Sequence, residues 1–132
     1  MTGYAIVLAS GELERITAAS IIGSVAAAMD IPVAVFVTMD GLRAFERETV
    51  ENRDFDGGAI AQAMVTAEDV QVPLFTEQLA QAKEIGPLEL YACTMVMDLL
   101  GTTLDDYVDV FDGELGVAGF LERAEGKEVI FV

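Results

Sequence analysis

Two stretches of the chain are apolar at every consecutive position, Tyr4-Ala-Ile-Val-Leu-Ala9 and Val33-Ala-Val-Phe-Val37. A third, Leu88 to Ala92, is broken only by Glu89. Runs this short without polar alternation predict strands buried on both faces, as in a parallel sheet. Glu128-Val-Ile-Phe-Val132 predicts a last strand, and Val108 to Phe111 a short strand at a sheet edge.

The stretches between them read as helices. The first starts at Glu12-Leu-Glu-Arg15, with acids in the turn where they complement the helix dipole, and runs to about Met29 before Asp30-Ile-Pro32 breaks it. From Ile16 onward it is apolar or small almost all round, with no polar face for solvent. Its outer side is therefore expected to meet another subunit. A turn over Thr38 to Gly41 precedes a short helix over Gly41 to Glu48. The stretch from Glu48 to Val72 carries the weakest pattern: a polar loop over Asn52 to Gly58, then a short apolar helix over Ala59 to Val65, suited to an oligomer contact or a functional lid. Phe75, Leu79 and Ala82 recur at helical spacing up to Gly86-Pro87. Thr94 to Gly101 reads as a helix closed by glycine, Thr102-Thr103 as a cap for Leu104 to Val108, and Glu114 to Glu125 as a helix ended by Gly126.

Strands alternating with helices imply an α/β fold, three layers deep, with a mostly parallel five-stranded sheet covered on both faces. The chain shows no internal repeat and no linker, so residues 1–132 are expected to form one domain. In such sheets ligands collect at the carboxyl ends of the strands. Here those ends are Ser10-Gly11-Glu12, Thr38 to Gly41, and Cys93-Thr94.

Charge narrows the function. There are 23 acidic residues against 7 basic ones, a net charge of −16, dispersed along the chain, and only Lys83 and Lys127 are lysines. A dispersed acidic surface poor in lysine suggests adaptation to high salt, where screening removes self-repulsion. No basic patch offers itself to nucleic acid. No apolar run is long enough to cross a membrane, and no secretory leader pattern is visible, so a cytoplasmic protein is expected. One cysteine excludes an internal disulfide, and the lack of histidine excludes Ser-His and Cys-His catalysis within one chain.

The remaining chemistry is quickly surveyed. The turn after the first strand, Ala9-Ser-Gly-Glu-Leu-Glu14, matches neither glycine-rich phosphate motif, and its glutamates oppose phosphate. The cluster Asp105, Asp106 and Asp109 reads as a solvated face in preference to a metal site, so no metal and no cofactor are expected. That leaves Cys93. It stands where a strand hands over to a helix, facing the positive end of the helix dipole, a setting that favours thiolate. The amides of Met95 and Val96 add to that field. No basic residue lies near it in sequence, and the surrounding acids oppose ionisation. Met95 and Met97 suit a soft pocket for sulfur, although methionines at helical spacing are equally core residues. A buried free cysteine is also a common apolar filler, so the functional and structural readings of Cys93 both stand.

The segment Ala92-Cys-Thr-Met-Val-Met-Asp-Leu-Leu-Gly101 is similar to the Ala-Cys-x-Met-Ser-Met-Asp-x-x-Gly signature of the DsrE/DsrF-like sulfur-relay family, in particular its branch often labelled peroxiredoxin-like. Ala5-Ile-Val-Leu-Ala-Ser-Gly11, the small-residue helix from Ala18 to Met29, Phe36-Val-Thr-Met-Asp-Gly-Leu42, Gly116-Val-Ala-Gly-Phe-Leu121 and Val129-Ile-Phe-Val132 resemble the same family. Val96 stands where the signature has serine, which removes a hydroxyl, and Met39-Asp40 replaces a more aromatic turn. The resemblance implies an α/β/α fold, homo-oligomers such as trimers or hexamers, and cytoplasmic sulfur traffic. In it Cys93 carries sulfane sulfur as a persulfide; the strand-end loops and the start of the following helix offer Ser10, Gly11, Thr38, Gly41, Thr94, Met95 and Met97 as the residues expected around it. Donor and acceptor are other proteins or small thiols. The alternatives are a non-catalytic oligomeric module that binds a small ligand at the strand ends, with Cys93 as packing, and a peroxide-reducing enzyme, which needs a basic group near the thiolate.

Overall fold

In a computed structural model, which describes residues 2–67 and 72–132, the apolar runs form the centre of one sheet. β1 (Tyr4–Leu8), β2 (Val33–Val37) and β3 (Leu88–Cys93) lie side by side. β4 (Gly113–Leu115) adds to β3 and β5 (Glu128–Phe131) to β1, giving the order β4-β3-β2-β1-β5 with every pairing parallel. β2 is buried at all five positions.

The helices follow from the strand order. α1 (Leu13–Ala28) joins β1 to β2, and α5 (Phe75–Ile85) leads into β3. Both connections move the same way across the sheet, so right-handed crossovers put both helices on one face, where they pack together. α7 (Val117–Ala124) carries the chain back from β4 to β5, and the same handedness places it on the opposite face. There Phe120 stacks on Phe36 at 4.8 Å between centroids, and the Arg123 guanidinium lies 4.6 Å from the Tyr91 ring centroid. α1 buries Leu13, Ile16, Ala19, Ser20, Gly23, Ala26 and Ala27, at the i, i+3, i+4 spacing of one helix face. It ends as Asp30 turns left-handed (φ 64°) and Ile31 N–H donates back to the Ala26 carbonyl.

Three boundaries differ from expectation. The helix expected over residues 41–48 is two helices, α2 (Met39–Arg43) and α3 (Arg47–Asn52), so α2 absorbs the turn expected at Thr38 to Gly41. The break between them lets Phe45 drop into the core, where it meets Phe75 edge-on at 4.9 Å. The edge strand is not Val108 to Phe111 but β4. The 108–111 segment spends its backbone outside the sheet, with Val108 N–H on the Phe45 carbonyl and Val110 N–H on the Val108 carbonyl, while Phe111 packs on Phe45 and Tyr107. α7 accordingly starts at Val117 and not Glu114, because Gly113 to Leu115 extend the sheet. α4 (Ala59–Thr66) and α6 (Thr94–Leu100) stand where apolar helices were expected. Thr103 caps a single 3-10 turn, Leu104–Asp106, through a reciprocal pair with Asp106. Of the weakly patterned stretch from Glu48 to Val72, residues 68–71 lie outside the described residues.

The contact between α1 and the end of α5 is close. A Cβ on Gly86 would strike the Ala27 carbonyl, whereas one on Gly23 would meet Ile6, Val33 and Leu88 at an ordinary 3.5–3.7 Å. Gly23→Ala is therefore expected to raise stability by about 1 kcal/mol through helix propensity. Gly86→Ala is expected to lower it by roughly 1–3 kcal/mol through forced backbone movement. Urea unfolding of both variants checks the opposite signs.

Candidate functional site

Register decides which side chains share the carboxyl edge of the sheet. Leu8 pairs with Val37, and Val37 with Ala92, so Ala9, Thr38 and Cys93 follow at the ends of three adjacent strands. The loops beyond interlock. Thr38 N–H donates to the Leu8 carbonyl at 2.9 Å and Gly41 N–H to the Ala9 carbonyl at 3.1 Å. Gly41 lies against the Leu8 and Ser10 carbonyls, and Gly11 against Asp40, so neither has room for a side chain. The Ser10 hydroxyl accepts the Glu12 amide at 3.1 Å and holds the turn into α1. Ser10, Gly11, Thr38 and Gly41 thus form one packed corner beside β3, with Thr38 next to Cys93 in register.

α6 begins at the end of β3, with Cys93 as its N-cap residue. Thr94 is half-buried, Met95 is 55% exposed and Met97 is 2% exposed. Residues two apart on a helix do not face each other, so the two methionines form no common wall: Met97 enters the core and Met95 points to solvent. Leu99, at 80%, and Leu100 continue the exposed apolar side of α6. The helix closes at Gly101 in the left-handed conformation (φ 68°). Beyond it the Thr102 amide donates to the Met97 carbonyl, and the Thr102 hydroxyl lies 2.6 Å from that of fully buried Tyr107.

Cys93 is 1% exposed, and it lines none of five surface cavities on the described chain, of about 50 to 290 Å³. Strand alternation puts its side chain on the face of Tyr91, the side covered by α7. The fold thereby brings to β3 a cation that sequence distance had hidden. Arg123 lies over Tyr91, and Tyr91 is two strand residues, roughly 7 Å, before Cys93 on β3. Its charge is already engaged, over Tyr91 and 4.0 Å from Glu89. Burial pushes the Tyr91 phenol above its ordinary value, and its hydrogen bond to Glu89 acts in the same direction.

A polar cavity of about 190 Å³ opens beside Gly11, lined by Asp40, Arg43, Thr49, Phe55 and Asp56 among others. Sequence reasoning missed it, because its residues come from α2, α3 and the polar loop after them. No group of three or more potential metal ligands exists among the described residues. Near the same loop, the Glu14 carboxylate accepts the Gly58 amide at 3.0 Å and the Ala61 amide at 3.1 Å, at the start of α4. These bonds, the Gly58 one foremost, hold its carboxyl below the ordinary value.

A lowered carboxyl value means that this stabilisation is present above the ordinary range near 4.5 and is lost as pH falls through the folded-state value. Glu14→Gln is expected to speed amide exchange at Gly58 and Ala61 at neutral pH. Wild type and variant are expected to converge in stability once acid protonates Glu14. Hydrogen exchange and acid titration check both.

Comparison with known proteins accords with this architecture. The sequence profile of the DsrE/DsrF/DrsH-like family matches residues 2–74 and 52–131. The chain is 30% identical to uncharacterized protein YrkE of Bacillus subtilis (strain 168), over 94% of this chain and 92% of that one. Its fold is similar to that of MTH1491, a protein of unknown function from Methanobacterium thermoautotrophicum, with a TM-score of 0.67 at 13% identity over the full length of both chains. The signature around Cys93, the five parallel strands and the profile match agree, and the chain belongs to the DsrE/DsrF/DrsH-like family.

Proposed function

We propose that this protein carries sulfane sulfur on Cys93, within the cytoplasm, where reduced thiols persist. The observation that supports it most is the position of the chain's one thiol: the last residue of β3, the N-cap of α6 and the neighbour of Thr38 at the carboxyl edge of a parallel sheet. Transfer needs no redox partner. The Cys93 thiolate attacks the outer sulfur of a donor persulfide, the donor's S–S bond breaks and the donor leaves as thiolate. The Cys93 persulfide keeps the outer sulfur and its proton. An acceptor thiolate then attacks that outer sulfur, taking it with its proton, and Cys93 returns as thiolate. Donor and acceptor are other proteins or small thiols. The acidic surface fits a medium of high ionic strength, where its self-repulsion is screened.

Since the sulfur is closed off in the isolated chain, the carrier works through an opening of α6. The helix is anchored after Gly101 by Thr102 and Tyr107, while at its start Thr94 is half-buried and Met95 exposed. The burial of Cys93 itself favours a second reading, a ligand-binding module in which the thiol only packs.

Mass spectrometry after exposure to a small persulfide donor separates the two. The carrier gains one or more sulfur atoms on Cys93 under native conditions, and Cys93→Ser gains none. A native protein that takes up no sulfur, yet alkylates at Cys93 once denatured, establishes the packing reading.

Gly101→Ala tests the opening. A Cβ there meets nothing within 4 Å, so its only cost is left-handed backbone strain of about 1 kcal/mol. Native alkylation of Cys93 is expected to speed up by roughly fivefold. An unchanged rate means that α6 does not gate the thiol.

A further inference from the structure

We propose that a cavity between α1, α4 and the end of α3 is a binding site for a small carboxylate with an apolar body. The cavity has a volume of about 210 Å³ and is walled by Leu13, Thr17, Met64, Val65 and Leu74, with Arg53 beside them. A second hollow of about 50 Å³ adjoins it at Leu13, Arg53 and Val65. Three features point to a ligand. Thr17 is only 6% exposed, and its hydroxyl has no hydrogen-bond partner among the described residues. Unlike the Oγ of Ser20 further along α1, which is sealed in, it opens to the cavity that Thr17 lines. A hydroxyl taken out of water and left unpaired is costly, so this one is placed to bond a guest. Arg53 is the second feature. It closes α3 in the left-handed conformation (φ 52°), which L residues rarely hold, and it belongs to none of the four ion pairs among the described residues. The third is the lack of acid. Of the described residues that line the two hollows, Arg53 alone is charged, in a chain of net charge −16.

Chemistry selects the ligand. A guanidinium fits a carboxylate through two parallel hydrogen bonds and repels an amine. The Thr17 hydroxyl offers one hydrogen bond more. The walls of Leu13, Met64, Val65 and Leu74 reward an alkyl body, since burying it removes apolar surface from water. The polar cavity beside Gly11 lacks this character, because Asp40, Asp54 and Asp56 surround its Arg43 and oppose an anion. The Glu14 carboxylate is spent on the Gly58 and Ala61 amides, where it ties the start of α4 to α1 and keeps the two walls together. Size sets the length of the body. At about 30 Å³ per non-hydrogen atom, the share of a water in the liquid, about 210 Å³ takes roughly seven atoms, as many as pentanoate has. This inference stands apart from the chemistry of Cys93, which lines neither hollow.

Titration of the full chain with pentanoate, followed by methyl NMR, tests it. Saturable shifts are expected at Leu13, Thr17, Met64 and Val65, with a dissociation constant on the order of 1 mM for a ligand this small. Pentylammonium, with the same body and the opposite charge, is expected to shift none of them. Acetate, the head without the body, is expected to bind at least about tenfold more weakly. Arg53→Gln is expected to weaken pentanoate binding roughly fivefold, as for an exposed ion pair. Arg53→Gly, which relieves the left-handed backbone, serves if Arg53→Gln does not fold. Thr17→Val is expected to weaken binding roughly threefold. Its thermal midpoint is expected to stay level or rise, because that hydroxyl bonds nothing within the chain. Cys93→Ser is expected to bind as wild type does. No saturable shift at tens of millimolar, equal binding of pentylammonium, or wild-type affinity in both the Arg53 and the Thr17 variants overturns the proposal.

Discussion

The position of β2 between β1 and β3 governs the rest of the molecule. All five of its residues are buried, and its backbone is bonded on both sides. A one-residue slip would move each side chain to the other face of the sheet, so the register is closely specified. That register aligns the last residues of three strands and delivers Ala9, Thr38 and Cys93 to one edge. It also leaves the loops beyond so little space that Gly11 and Gly41 pack directly on backbone.

The central strands and long helices were legible because burial on both faces writes itself as unbroken apolar sequence. β2 has the bounds its apolar run predicts, and α1 and α5 depart by no more than a residue or two. The misread segments are those where tertiary contacts overrule local pattern. Val108 to Phe111 has strand composition, but its aromatic ring completes the cluster with Phe45 and Tyr107, and the sheet takes the less hydrophobic Gly113 to Leu115 instead. Phe45 likewise interrupts what reads as one helix, because the core needs its ring there.

At the candidate site, sequence alone identified the residues of the corner and their common edge. It did not resolve which of them face one another. The two methionines of α6 diverge because helical geometry turns them apart, and Arg123 reaches β3 only because α7 recrosses the sheet. The depth of Cys93 was equally invisible, since a strand-to-helix junction has the same sequence whether its thiol is open or closed.

β5 carries a separate consequence. Among the described residues it pairs with β1 alone, so one side of its backbone has no neighbouring strand there, and Phe131 beside that border is 74% exposed. An open row of amides and carbonyls next to an aromatic ring is a template on which further strands can grow. Two features oppose such growth: the strand is four residues long, and Glu128 opens it with a charge that stacked copies would bring face to face. The Glu128 carboxylate thus sets a like-charge repulsion against strand addition at this border, on top of the shortness of β5.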